Sequence, residues 1–133
     1  MVDLYTKQVR SVLELAVPAW HGAMTQVEKI AIERIQKSAC HIILGDNYQS
    51  YKLALNTLDL DTLQSRRDKL CLNFARKSEK HTKFQKWFKP AVVSQDTRQE
   101  KYKYCDVKAQ HNIFSKSPLS YLTQVLNEYH NRK

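Results

Sequence analysis

The chain has 133 residues, a hydrophobic share of 42%, two glycines and a formal net charge of +9. That length suits one domain with a real core, and the scarcity of glycine argues against turn-rich β-sandwiches and barrels, leaving helices as the default. The longest apolar run falls far short of the roughly 20 residues that a membrane span needs, so no membrane insertion is expected.

The charge is unevenly placed. Residues 1–60 hold six Lys/Arg and six Asp/Glu, whereas residues 61–133 hold sixteen against seven. The whole excess therefore lies in the second part, which is the pattern of a segment that meets a polyanion or of a solvated basic face. Cys40, Cys71 and Cys105 are odd in number and form no CxxC pair, and the chain has no signal-like start. Reduced thiols in an intracellular protein, nuclear or cytoplasmic and neither secreted nor membrane-bound, are the expectation.

In chain order, Leu4, Tyr5, Val9, Val12, Leu13, Ala16 and Val17 recur at three- and four-residue steps, which predicts a helix interrupted by Pro18. Thr25 and Glu28 have capping-box spacing, so a second helix starts there. Its apolar stripe would be Val27, Ile30, Ala31, Ile35, Ala39, Ile42 and Ile43, and Gly45 is placed to stop it. Ser50–Leu58 predicts a short helix with Tyr51, Ala54, Leu55 and Leu58 on one side, and Asp59 or Asp61 is placed to cap the next helix.

That next helix is the central one. At about 100° per residue from Leu63, Leu70 falls at about −20°, Phe74 at about +20° and Cys71 at about +80°, which makes Leu70 and Phe74 expected core residues. Arg67 falls inside this stripe at about +40°. A cation there must find a carboxylate or reach water along its stem, and a structural ion pair with Glu14, Glu33 or Asp59 is the reading favoured over ligand contact.

Beyond Ala75 the sequence turns basic, with Phe84, Trp87 and Phe88 interleaved among lysines up to Pro90. The aromatics are expected to anchor the end of the helix rather than to stack on bases. Residues 94–112 lose helical periodicity, and the alternation Lys101–Tyr102–Lys103–Tyr104 predicts a short extended segment near residues 98–108. Ser117–Pro118 marks the start of a closing helix with Leu122, Val125, Leu126 and Tyr129 on its inner face. The fold class expected is mainly α, a compact bundle of about four to five helices. Residues 1–90 would be the helical core, 91–116 a loop or extended connector, and 117–133 a helix packing back on that core.

No Gly-rich phosphate loop, nucleophile elbow, HExxH or paired acidic hairpin occurs, and the five histidines are scattered singly. No catalytic residue, metal site or cofactor is expected. Lone histidines of this kind are usually structural or solvated.

Four blocks carry a resemblance. VRSVLELAVPAWHGAMT (Val9–Thr25), IERIQKSACHIILG (Ile32–Gly45), YKLALNTLDLDTLQSRRDKLCLNFARK (Tyr51–Lys77) and SPLSYLTQVLN (Ser117–Asn127) together resemble the C-terminal end of the second open reading frame of non-LTR (LINE-like) retrotransposons, after the reverse-transcriptase palm. Trp20–His21, Arg66–Arg67–Asp68 and Ser117–Pro118 are the more specific details. The resemblance implies a helical thumb and post-thumb extension that helps hold template and primer, while the palm, which this sequence lacks, would supply the metal-binding aspartates. It therefore implies no polymerase activity in the chain itself.

The function expected is that of a non-catalytic module bound to RNA, DNA or an RNA–DNA hybrid without sequence preference. Arg66, Arg76, Lys77, Lys80, Lys83, Lys86 and Lys89 would contact phosphates, because flexible cations supply charge with few geometric constraints. The alternative is a protein-interaction or regulatory remnant of a retroelement that binds no nucleic acid, or a fragment without function.

Overall fold

Helices carry nearly all the regular structure in the computed structural model, which describes residues 1–91, 103–105 and 117–132. The fold is mainly α, with five helices of more than one turn and no strand among the described residues. Helix α1 is built from Val2–Leu4, a π-type stretch Tyr5–Val9 and Arg10–Leu13; α2 is Gln26–Leu44, α3 is Tyr51–Thr57, α4 is Leu63–Lys80 and α5 is Pro118–Asn131. The chain divides into two compact units, Met1–Val17 with Met24–Asp68, and Pro18–Ala23 with Lys69–Lys133.

The local signals explain where most helices begin and end. Thr25 Oγ1 accepts from the Glu28 amide while Glu28 Oε2 accepts from the Thr25 amide at 2.7 Å, closing the capping box. Gly45 ends α2 at φ +53°, a value that would strain any larger residue. Ser117 caps α5 with Pro118 in its first turn. Helix α1 stops at Leu13 rather than running to Pro18, because a proline clashes with the carbonyl four residues back, here Glu14; Ala16 takes φ +50° before a single turn, Val17–Trp20, resumes.

The cap of α4 departs from expectation. Asp59 sits at φ +51° in the preceding turn, outside the start of the helix. Glu33 of α2 reaches across instead, its carboxylate accepting the Leu63 amide at 3.2 Å and the Gln64 amide at 3.3 Å, while Thr62 Oγ1 accepts from Ser65. A negative group at a helix N-terminus satisfies unpaired amides and the helix dipole together, so a remote glutamate serves as well as a local aspartate.

In the first unit, Cys40, Ala54 and Leu55 are buried with Leu44, Tyr48, Tyr51, Leu58 and Leu60 around them. The expected stripe of α2 is largely at the surface: Val27 is 76% exposed and Ile42 70%, with Ile30 and Ile35 also open. The buried line of α2 passes through Gln36 and Cys40. Gln36 is saturated there, accepting from Tyr5 Oη at 2.8 Å and donating to Tyr51 Oη at 3.0 Å and to the Asp61 carbonyl at 2.9 Å. A fully satisfied buried amide can hold a helix face that apolar periodicity alone would assign elsewhere. Helix α1 shows the same shift, burying Tyr5 and exposing Leu4, Val9 and Val12.

The second unit closes on α5. Leu122 and Leu126 are buried as expected, joined by Ser120, Thr123 and Asn127. Gly22 lies so close to this helix that a Cβ on it would stand 2.6 Å from Tyr121 Cβ, and His21 packs edge-on to the Tyr121 ring at 5.5 Å. Pro90 and Tyr104 form an antiparallel bridge, with the Cys105 amide donating to the Lys89 carbonyl at 2.8 Å, so the expected extended segment is present at this point. The remainder of residues 98–108, and most of the 91–116 connector, lie outside the described residues.

Helix α4 is the element both units share along the chain. Its buried line is Leu63, Arg67, Cys71, Ala75 and Ser78, centred at about 60° from Leu63 rather than on Leu70 and Phe74. Phe74 is 37% exposed, which corrects its assignment to the core. The physical reason lies in the small side chains: Ala75 and Ser78 permit close approach, and α5 lies along this half of α4, with Arg76 meeting Tyr129 and Glu79 meeting His130.

Candidate nucleic-acid interface

Of the two adjacent arginines of α4, it is Arg66 and not Arg67 that forms an ion pair among the described residues. Arg66, expected at phosphates, is held by Glu14, with Nε and Nη2 both donating to that carboxylate, the latter at 2.9 Å; Arg10 stands 3.8 Å from the same group. Such a two-pronged pair fixes the guanidinium plane and leaves little of its charge for a ligand. Arg67, expected in an ion pair, is 1% exposed and forms none among the described residues. Its Nη2 donates to Gln64 Oε1 at 3.2 Å, and Nε and Nη1 have no hydrogen-bond acceptor among the described residues. Two of the three candidate carboxylates are engaged elsewhere: Glu14 by Arg66, and Glu33 by the α4 amides and by the Tyr51 hydroxyl.

Arg76, Lys77 and Lys80 stand together. With Asn73 they line one concavity of about 230 Å³, because residues at i, i+3, i+4 and i+7 share a helix face. The Arg76 guanidinium lies 4.8 Å from the centre of the Tyr129 ring, a cation–π contact that restrains it without neutralising it. Among the described residues no carboxylate lines the concavity.

The one acidic neighbour in sequence, Glu79, is turned away into a cluster. Its Oε1 accepts from Lys103 Nζ at 2.6 Å and from the Tyr104 hydroxyl, and lies 3.1 Å from His130 Nε2. Burial alone would raise the Glu79 carboxyl, but the donations from Lys103 and Tyr104 and the nearby charge outweigh it and hold the group down to about 2. In the first unit burial is the main cause that pushes Tyr5 up to about 12 and that raises Tyr51, and the charge of Glu33, to which Tyr51 donates, adds to both.

Lys83, Lys86 and Lys89 are exposed on the turn and the 3₁₀ segment Gln85–Trp87 that follow α4. The aromatics among them divide. Phe88 is buried against Tyr104 with ring centres 5.6 Å apart, as an anchor should be, while Trp87 is 44% exposed and packs on Phe84 at 4.6 Å. Sequence reasoning missed Asn73, Tyr129 as a support for Arg76, and the Glu79 cluster. The spacing of Asn73 to Lys77 was a usable signal, whereas Glu79 meeting Lys103 and His130 had none, since the partners are far apart in the chain.

Among the described residues no group of His, Cys, Asp and Glu is arranged to hold a metal ion, no helix is long and apolar enough to cross a membrane, and no disulfide links Cys40, Cys71 and Cys105. Compared with protein-family models, with curated proteins and with solved structures, the chain matches none.

Proposed function

We propose that the protein is a non-catalytic nucleic-acid-binding helical module that grips the phosphate backbone of RNA, DNA or a hybrid, the role implied by its resemblance to the C-terminal part of a retrotransposon reverse transcriptase. The observation that carries this reading is the concavity of Asn73, Arg76, Lys77 and Lys80, which holds three cationic residues and, among the described residues, no carboxylate. Lys83, Lys86 and Lys89 extend the basic surface beyond it. Arg66 is left out, because Glu14 holds it.

Lysine-dominated contacts give affinity without base readout and release counterions on binding. Fluorescence anisotropy with labelled duplex, hybrid and single strand should therefore show binding at low salt that weakens steeply as salt rises, with a log–log slope of roughly −0.9 per neutralised phosphate on B-form DNA. No binding to any of the three probes at low salt would overturn the proposal.

A protein partner is the second reading, supported by the exposed apolar side chains of α1 and α2, among them Leu4, Val12, Val27, Ile30 and Ile42. Exposed apolar surface marks interaction sites where it is contiguous. Light scattering after size exclusion distinguishes the two: a strict monomer that binds no hydrophobic dye argues against this reading.

A further inference from the structure

The concavity on α4 has chemistry beyond general backbone contact, and the geometry points to a terminal phosphate, the phosphomonoester at the end of a nucleic-acid strand, as the group it takes. This rests on the nucleic-acid reading above and goes further by naming the part of the strand that is bound.

Charge balance is the first reason. A backbone diester carries a single negative charge, whereas a phosphomonoester carries about −1.5 to −2 near pH 7 and presents three acceptor oxygens. The concavity is lined by Asn73, Arg76, Lys77 and Lys80, whose side chains carry three positive charges on one helix face. Three clustered cations repel one another and are better matched by a dianion than by a passing diester. Lys80 is the last residue of α4, whose C-terminal end is itself unfavourable to anions, so the side chains must supply all of the attraction.

Size and rigidity are the second and third reasons. A volume of about 230 Å³ lies below the range of roughly 300–1,000 Å³ typical of pockets for drug-sized ligands, and so suits a phosphate group better than a whole nucleotide. The Arg76 guanidinium lies 4.8 Å from the centre of the Tyr129 ring, which restrains it, and a restrained planar fork suits two oxygens of one phosphate better than a mobile ammonium does. Glu79, the neighbouring acid, is occupied by Lys103, Tyr104 and His130. It therefore does not compete for these cations.

The experiment compares otherwise identical labelled oligonucleotides carrying a 5′-phosphate, a 3′-phosphate or hydroxyls at both ends, by anisotropy at fixed salt. One phosphorylated end should bind roughly three- to tenfold more tightly than the hydroxyl probe, the worth of about one added net hydrogen bond. Arg76→Gln should remove that difference, and so should Lys77→Gln with Lys80→Gln in a second variant in case the first folds poorly. Lys83→Gln with Lys86→Gln should weaken all probes alike. Equal affinity for all three ends overturns this inference and leaves the nucleic-acid reading standing; absence of binding to every probe overturns both. A preference that survives both α4 variants places the terminal-phosphate site elsewhere and overturns the assignment.

Discussion

The two units handle charge in opposite ways. In the first, cations are consumed internally: Arg66 is clamped by Glu14, and Arg67 is sealed inside with Gln64 as its acceptor. In the second, a carboxylate is consumed instead, as Glu79 gathers Lys103, Tyr104 and His130, and the cations of α4 are left facing solvent. Desolvation accounts for Arg66 and Glu79, since a half-buried ion is held by opposite charge or by hydrogen-bond partners, whereas Arg67 is buried with a single neutral acceptor. The lesson is that net charge per segment locates a basic surface, while the carboxylates decide which basic residues remain available on it.

Four measurements would break or sharpen this contrast. The largest effect belongs to the core of the second unit: Leu126→Ala should destabilise by about 2–5 kcal/mol in chemical denaturation, while Phe74→Ala, at an open position on α4, should cost under about 1 kcal/mol. Equal losses would mean that α4 buries a different face. Arg67→Met comes next. Replacing a sealed guanidinium with two unsatisfied nitrogens by an apolar chain of similar length should raise stability by about 1–3 kcal/mol, and a clear loss would mean that Arg67 has an anionic partner.

The third concerns Glu79. Its carboxyl is lowered in the folded state from 4.5 to about 2, so its contribution is fully present above pH 4.5 and is lost as the pH falls toward 2. Stability should decline across that window in the parent, and Glu79→Gln should flatten the decline. An unchanged acid profile would remove Glu79 from the centre of the Lys103–Tyr104–His130 cluster. The smallest effects compare the two arginines directly. Arg66→Gln should cost at most about 1 kcal/mol of stability, since its side chain is partly exposed, and leave nucleic-acid binding unaltered. Arg76→Gln should leave stability nearly unaltered and reduce the salt slope of binding by about 1. The reverse result would restore Arg66 to the interface.

The sequence by itself determined the helical class, the Thr25–Glu28 and Ser117–Pro118 helix starts, the stop at Gly45 and the concentration of positive charge after residue 60. Each of these is a matter of neighbours within about four positions or of simple composition, where backbone hydrogen bonding and capping decide the outcome. The inner faces of α5 and of α3 were legible for the same reason, because Leu122, Leu126, Ala54 and Leu55 repeat at helical spacing with little competing chemistry.

Tertiary structure alone decided the rest. It rotated the buried line of α4 onto Arg67, Ala75 and Ser78, opened the apolar stripe of α2, and brought Glu33 to the N-terminus of α4. It also paired Arg66 with Glu14, fifty-two positions away, and Glu79 with His130, fifty-one away. Apolar periodicity reports which face can be buried, but a satisfied amide such as Gln36 or a pair of small residues can make another face the better one. Which ions neutralise each other depends on distances that only the folded chain sets, and through them the fold leaves Arg76, Lys77 and Lys80 facing solvent together.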